Sequence, residues 1–372
     1  MPKRLYIIAG EASGDLHGSN LIKAMYRKED AIEIRAWGGD KMEEAGATLV
    51  KHFRDLAFMG FAEVIMNLRT ILKNIKFCKE DILKFKPDAL ILIDYPGFNL
   101  RIASWAHERG IKVFYYISPQ IWAWKKNRVF KIKKTVDKMF VILPFEKDFY
   151  KQYDMDVEFV GHPLMDEIED FKKTAPSFGE FTQKNNLSSK PIIAVIPGSR
   201  KQEISKILPE MVHLISKFPD YQFLVGAAPS IDDSFYKTYL IGENIALIRN
   251  QTYSLFNLAT VGMVASGTAT LEAAIFGLPE VVCYKGNALS ITIARSIIKV
   301  KYISLVNLIM DKEIVTELIQ NELTTKNLEK EIQSLLNPKN REKLAKEYLE
   351  LRNKLGGIGA SQNAANAMLK SL

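Results

Sequence analysis

The sequence predicts two successive α/β halves, each a doubly wound and mostly parallel sheet, followed by a helical tail. Three observations carry this. Short apolar runs rich in β-branched residues alternate with helical patterns in one block, Leu5 to Val160, and again in a second, Ile192 to Tyr284. A polar stretch with Pro176, Gly179 and a run of Lys, Asn and Ser separates the blocks. From Ile314 onward the pattern reads as helical and charged, broken only at Gly356-Gly357. The expected division is 1–170, 171–340 and a tail 341–372 packing back toward the first half. The expected shape is two lobes facing across a cleft, with ligands beyond the carboxyl ends of the strands.

In the first block, strands are expected at 5–9, 32–37, 48–50, 89–93, 112–117, 139–143 and 157–160. Helical patterns cover 16–26, 41–45, 61–76, 78–85 and a segment ending near Arg109. Gly110 and Pro87 supply stops. In the second block, strands are expected at 192–196, 222–225, 246–249, 261–265 and 280–284, and a last helix at about 360–369.

Composition narrows the class. The chain has 372 residues, enough for two cores, and a net charge of +8. Such a balance favours phosphates, nucleic acid or an anionic membrane, without choosing among them. Cys78 and Cys283 make no disulfide framework, so a reducing cytoplasm is expected. The N-terminus enters a strand pattern directly, with no secretory leader expected. No apolar run approaches the roughly 20 residues of a membrane span.

Pro191 to Arg200 reads as a buried strand, a stop at Pro197, a tight turn at Gly198, a cap at Ser199 and a forked cation at Arg200. Free amides, a helix N-terminus and a guanidinium make an anion site. Ser266-Gly267-Thr268 repeats the logic after the strand 261–265, and Glu272, a turn later, has the reach to accept both hydroxyls of a ribose. Together the two sites suggest a diphosphate. Gly10, Glu11, Ser13, Gly14 and Asp15 form a strand-to-helix loop that offers amides and polar groups to a sugar or phosphate. It lacks both the dinucleotide fingerprint and the phosphate-loop pattern.

Asp94 ends the run Ala89–Ile93, where open α/β sheets place chemistry, and partial burial suits it to general-base work. Its rivals are Glu11, Asp15, His17 and His162. Asp154-Met-Asp156 is a weak metal pattern and no zinc spacing exists, so neither metal nor cofactor is expected.

Phe61, Val64, Ile65, Leu68, Ile71, Leu72 and Ile75 form one stripe, flanked by Arg69, Lys73, Lys76 and Lys79. Such a stripe is either core or a basic-rimmed membrane-contact helix. The stretch 125–138 carries seven lysines and arginines against one acid, a solvated helix face or a phosphate-binding surface.

Nearly the whole chain resembles the lipid-A-disaccharide synthase family. The carriers are the segments 9–15, 58–64, 94–99, 118–124, 143–146, 161–163 and 197–200, then Ser266-Gly-Thr268 with Glu272, and Tyr302-Ile-Ser-Leu305 with Asn307. The resemblance implies a GT-B architecture and a metal-independent inverting transfer. UDP-2,3-diacylglucosamine is joined to 2,3-diacylglucosamine 1-phosphate, giving UDP and a β-1,6-linked disaccharide 1-phosphate. It implies Asp94 as base, Arg200 as essential cation and Asn307 near the UDP. It also implies a peripheral enzyme at the inner leaflet of a Gram-negative inner membrane, with a homodimer plausible and no nucleic-acid partner. The competing readings are a UDP-sugar 2-epimerase and a non-catalytic basic protein bound to membrane or nucleic acid.

Overall fold

A computed structural model describes residues 2–55, 68–240, 245–286 and 301–372. They form two compact units: residues 1–166 with 355–372, and residues 167–354. Each unit is built on a sheet whose strand pairs are all parallel.

The first sheet, among the described residues, contains β1 (Lys3–Ala9), β2 (Ile32–Gly38), β3 (Thr48–His52), β4 (Ala89–Ile93), β5 (Lys112–Tyr116), β6 (Lys138–Val141) and β7 (Glu158–Phe159). Their order is β3-β2-β1-β4-β5-β6-β7. The strand order therefore reverses between β1 and β4, which pair in register from Leu5–Ala89 to Ala9–Ile93. All five residues of β4 are buried, as expected of a central parallel strand with both faces covered.

The second sheet contains β8 (Ile192–Ile196), β9 (Gln222–Ala227), β10 (Ala246–Arg249), β11 (Val261–Ala265), β12 (Glu280–Tyr284) and β13 (Glu317–Ile319). The order is β10-β9-β8-β11-β12-β13, reversing between β8 and β11. Alternation along β8 divides the core. Ile193 and Val195 enter one apolar cluster, and Ile192, Ala194 and Ile196 enter the other.

Three local findings differ from the sequence reading. The stretch from Leu68 to Phe85 is one continuous helix, with no break at Phe77–Cys78. No proline or glycine interrupts it, and Ile75, Cys78 and Ile82 lie buried along one face. Residues 317–319, expected to be helical, form the edge strand β13 against β12. Three residues are too few to show a period. The C-terminal helices divide between the units. The helix Pro338–Lys354 belongs to the second unit, where the Tyr348 hydroxyl donates to the Leu278 carbonyl at 3.2 Å. The helix Ala360–Lys370 packs on the helix Ala12–Tyr26 in the first. There Asn363 Nδ2 donates to the Val160 carbonyl at 3.2 Å, and Asp166 accepts from the Gly359 and Ser361 amides.

No helix among the described residues is long and apolar enough to cross a membrane. Both cysteines are free and buried.

Candidate active site

Each unit carries its candidate residues at its own switch point, where loops leaving two adjacent strands diverge and open a crevice beyond the strand ends. In the first unit the flanking loops are those after β1 (Gly10, Glu11) and after β4 (Asp94, Tyr95).

Asp94 and Tyr95 both lie in the left-handed region, at φ 43° and 47°. Two successive non-glycine residues there cost about 1–2 kcal/mol each, so something must hold them. The Asp94 carbonyl accepts from Asn99 Nδ2 at 2.8 Å and from the Tyr115 hydroxyl, and the Asp94 amide donates to the Tyr116 carbonyl at 3.2 Å. Asn99 is fully buried, and its amide also reaches the Ile93 carbonyl at 3.2 Å. Pro96 at the first turn of the following helix fixes its entry. The turn aims a carboxylate out of the strand end, and strain of this kind gathers at functional sites.

Burial pushes the Asp94 carboxyl up to about 6, the charge of Glu11 adds to the rise, and the Tyr95 amide opposes it. Gly10 lies under the Tyr95 ring: a Cβ there would fall 2.3 Å from a ring carbon. A side chain at Gly10 would therefore displace the aromatic next to Asp94.

The rivals separate on physical grounds. Asp15 is buried, and its carboxylate accepts from the amides of Gly39, Lys41 and Met42 at 2.7, 3.2 and 3.1 Å. It caps the short helix Asp40–Glu44. His162 is lowered to about 3 by burial and by His17, and its Nδ1 accepts from the Leu164 amide at 3.2 Å. Burial lowers His17 to about 4. Histidines so depressed are weak proton acceptors at neutral pH. Glu11 and Ser13 are exposed, and Gly14 is packed against Ala9.

In the second unit the flanking loops follow β8 and β11. Gly198 has φ +113°, and a Cβ there would lie 2.1 Å from Glu203 Oε2. The expected cap at Ser199 is replaced. Arg200 occupies the N-cap position of the helix Lys201–Val212, and Glu203 reaches back to accept from the Ser199 amide at 3.0 Å. The left-handed turn at Gly198 places Ser199 one residue outside the helix, so its hydroxyl cannot cap it. Ser199 and Arg200 are exposed.

After β11, the Ser266 amide donates to the Cys283 carbonyl at 2.9 Å and its hydroxyl to the Ile303 carbonyl at 3.3 Å. Gly267 is the N-cap of the helix Thr268–Phe276, which has no side-chain cap. Gly267 and Thr268 are exposed, as an anion site requires. Glu272 is half-buried. Burial and the charge of Glu167 push it up to about 7, and the neighbouring Tyr253 hydroxyl opposes the rise.

Asn307 is fully buried, and its side chain is committed within its own unit. Nδ2 donates to the Val315 carbonyl at 2.8 Å and Glu317 Oε1 at 2.9 Å, and Oδ1 accepts from the Ile314 and Val315 amides at 2.8 and 3.1 Å. Those bonds use both amide protons and both lone pairs. Glu317 also accepts from the Ile303 and Ser304 amides. The network thus fixes the segment whose Ile303 carbonyl receives Ser266.

Of the expected membrane stripe, Phe61, Val64 and Ile65 lie outside the described residues. Leu68 opens the helix 68–85, Ile71 packs against the core, and Leu72 is 53% exposed. Phe77 adds a second exposed apolar side chain. Asn99, Tyr115, Glu203, Tyr253 and Glu317 were not singled out from the sequence. Two of them have a local signal there: Asn99, five residues after Asp94 in a short motif, and Glu203, four residues after Ser199.

The family model for lipid-A-disaccharide synthetase matches residues 5–371. The lipid-A-disaccharide synthase of Syntrophus aciditrophicus is 41% identical over 98% of this chain and 96% of its own length. That of Trichlorobacter lovleyi is 39% identical over 99% and 97%. Among solved structures, the UDP-GlcNAc 2-epimerase of Neisseria meningitidis aligns with TM-score 0.70 and 14% identity over 99% of this chain and 100% of that one. The glycotransferase of kitacinnamycin aligns with TM-score 0.69 and 14% identity over 100% and 99%. These two likenesses establish a GT-B type fold shared by transferases and epimerases, and at that identity they speak to fold alone. The residues carrying the resemblance, the two switch points and the full-length match agree: this chain belongs to the lipid-A-disaccharide synthase family.

Proposed function

We propose that the two switch points perform separate halves of the transfer that makes the lipid A disaccharide. Asp94 takes the proton from the 6-hydroxyl of 2,3-diacylglucosamine 1-phosphate. That oxygen bonds to the anomeric carbon of UDP-2,3-diacylglucosamine, the carbon's bond to the phosphate oxygen breaks, and the electron pair leaves with UDP. Attack opposite the leaving group inverts the centre and gives the β-1,6 linkage. Arg200, the Gly198–Ser199 backbone and the amides of Gly267 and Thr268 receive the charge that grows on the departing diphosphate. Glu272 accepts from the uridine ribose. Glu11 and Ser13 contact the acceptor sugar, while Gly10, Gly14 and Asp15 shape their loop. Asn307 acts from behind, through the segment that holds Ser266.

The observation that carries this reading is the half-buried Asp94 at the end of β4, its carboxyl raised to about 6. A base near that value is ionised at neutral pH yet still basic enough to accept a proton. With a guanidinium and helix amides to take the diphosphate charge, the reading assigns no step to a metal.

The helix 68–85 presents exposed Leu72 and Phe77 beside exposed Arg69, Lys73 and Lys76. Apolar side chains rimmed by cations fit an anionic membrane surface, so the reading places the enzyme on the cytoplasmic face of the inner membrane of a Gram-negative cell. A homodimer belongs to the same reading and is checked by light scattering.

The test is mass spectrometry of products from defined donor and acceptor, with and without EDTA. The expected result is a tetra-acyl disaccharide 1-phosphate and UDP in equal amounts, unaffected by EDTA. Epimerised donor with untouched acceptor would contradict it, and a loss restored by Mg²⁺ would contradict the metal-free step.

A further inference from the structure

Three neighbouring strands of the first sheet, β1, β4 and β5, close on the backbone of one residue, Asp94. Its amide donates to the Tyr116 carbonyl at the end of β5, at 3.2 Å, on one side of the Cα. On the other side its carbonyl takes two donors. One is the Tyr115 hydroxyl, from β5. The other is Asn99 Nδ2, at 2.8 Å, from the first turns of the helix Pro96–His107. Two donors fill both lone pairs of a carbonyl oxygen. The same Nδ2 lies 3.2 Å from the Ile93 carbonyl and 3.4 Å from the Ile8 carbonyl, near the ends of β4 and β1. Side chains in a helix lean toward its N-terminus, so an amide at Asn99 reaches back over the strand ends. It ties the turn to the two strands between which the sheet order reverses.

None of these bonds uses the Asp94 carboxylate. They act on the peptide groups that flank its Cα, and so on φ, ψ and the direction of Cβ. A non-glycine at φ 43° followed by another at 47° relaxes, when let go, toward the right-handed or extended regions. That rotation turns the Cα–Cβ bond and carries the carboxylate with it. Asn99 and Tyr115 are both fully buried, so neither reaches a substrate. A phenylalanine would fill the Tyr115 space equally well; what the hydroxyl adds is the bond to Asp94.

We propose that Asn99 and Tyr115 are positioning residues for deprotonation of the acceptor: by gripping the Asp94 carbonyl from two sides, they hold its carboxylate in the direction from which it takes the proton. The proposal rests on the reading of Asp94 as the base. It assigns to both residues an effect on turnover that passes through Asp94 and leaves the donor site of the second unit untouched.

The experiment measures kcat and the donor KM of the full chain with defined acylated donor and acceptor. It compares wild type, Tyr115→Phe and Asn99→Ala, and then each substitution again in an Asp94→Asn background at high enzyme concentration. Displacing a reacting group by about 1 Å costs about 10² in rate, so kcat should fall at least about tenfold in either single variant, with the donor KM held within about twofold. In the Asp94→Asn background the same substitutions should cost no more than about a further twofold, because the group they aim is already gone. General damage to the fold would multiply with Asp94→Asn instead. Tyr115→Phe keeps the ring and Asn99→Ala keeps Tyr115, so either variant decides if the other fails to fold. Wild-type kcat in a folded variant, a loss carried by the donor KM, or a full loss repeated in the Asp94→Asn background would each overturn the proposal. If Asp94→Asn itself keeps wild-type turnover, the base reading falls, and this proposal with it.

Discussion

The two switch points share a topology and differ in chemistry. After β4, the first unit spends conformational strain to present a carboxylate, with Glu11 near enough to raise it. After β8 and β11, the second unit presents backbone: a left-handed glycine, an N-cap glycine, exposed helix amides and Arg200. Neither loop could do the other's work. A carboxylate repels a diphosphate, and amides beside a guanidinium cannot take a proton. Gene-scale likeness between two Rossmann-like halves therefore says little about role; the first residues beyond the strand ends decide it.

The comparison is best broken at its sharpest contrast. Asp94→Asn keeps the shape and removes the base, so turnover should fall by about 10² to 10⁴. In the wild type, kcat/KM should rise with pH through about 6 and then level, a limb missing from the variant. Glu11→Gln lowers the Asp94 carboxyl by removing a like charge, so its limb should sit at lower pH. A limb unmoved in Glu11→Gln would detach Glu11 from the base. Arg200→Ala should cost about 10² to 10³ in turnover, and near-normal rates would return Arg200 to ordinary surface.

A stability contrast comes next. Glu146 is buried, accepts from the Leu143 amide at 3.0 Å and is pushed up to about 8 by burial. Its folded value exceeds the usual carboxyl value, so the folded chain holds the extra proton between about pH 4.5 and 8, and stability falls as pH rises through that window. Urea unfolding should show a flatter pH dependence for Glu146→Gln. Glu146→Ala should lose about 1–3 kcal/mol by leaving the amide unpaired. The smallest effect concerns the membrane face. Leu72→Glu with Phe77→Glu should leave folding intact and reduce flotation with anionic vesicles several-fold; unchanged flotation would move the contact elsewhere.

How much of this was legible beforehand follows the range of the interactions. Buried parallel strands announce themselves as apolar runs, so β1, β4, β8 and β11, and with them Asp94 and Gly198, could be placed from sequence. The edge strand β13 was missed because pairing with β12, not any local period, makes it a strand. Asp15 looked like a ligand group because its loop looked like a binding loop. Its bonds to Gly39, Lys41 and Met42 span more than 20 positions, and nothing local encodes them. The pairing of Tyr253 with Glu167 crosses 86 positions. The capping by Glu203 is local: the spacing of Ser199 and Glu203 encodes it once the turn at Gly198 sets Ser199 outside the helix.

The central claim is that the first unit deprotonates the acceptor and the second grips the diphosphate. A side-by-side calorimetric titration of UDP into Asp94→Asn and Arg200→Ala tests it most directly. The account predicts wild-type affinity for Asp94→Asn and at least a tenfold weakening for Arg200→Ala, about 1.4 kcal/mol. Equal weakening in both variants, or full UDP affinity in Arg200→Ala, would contradict it.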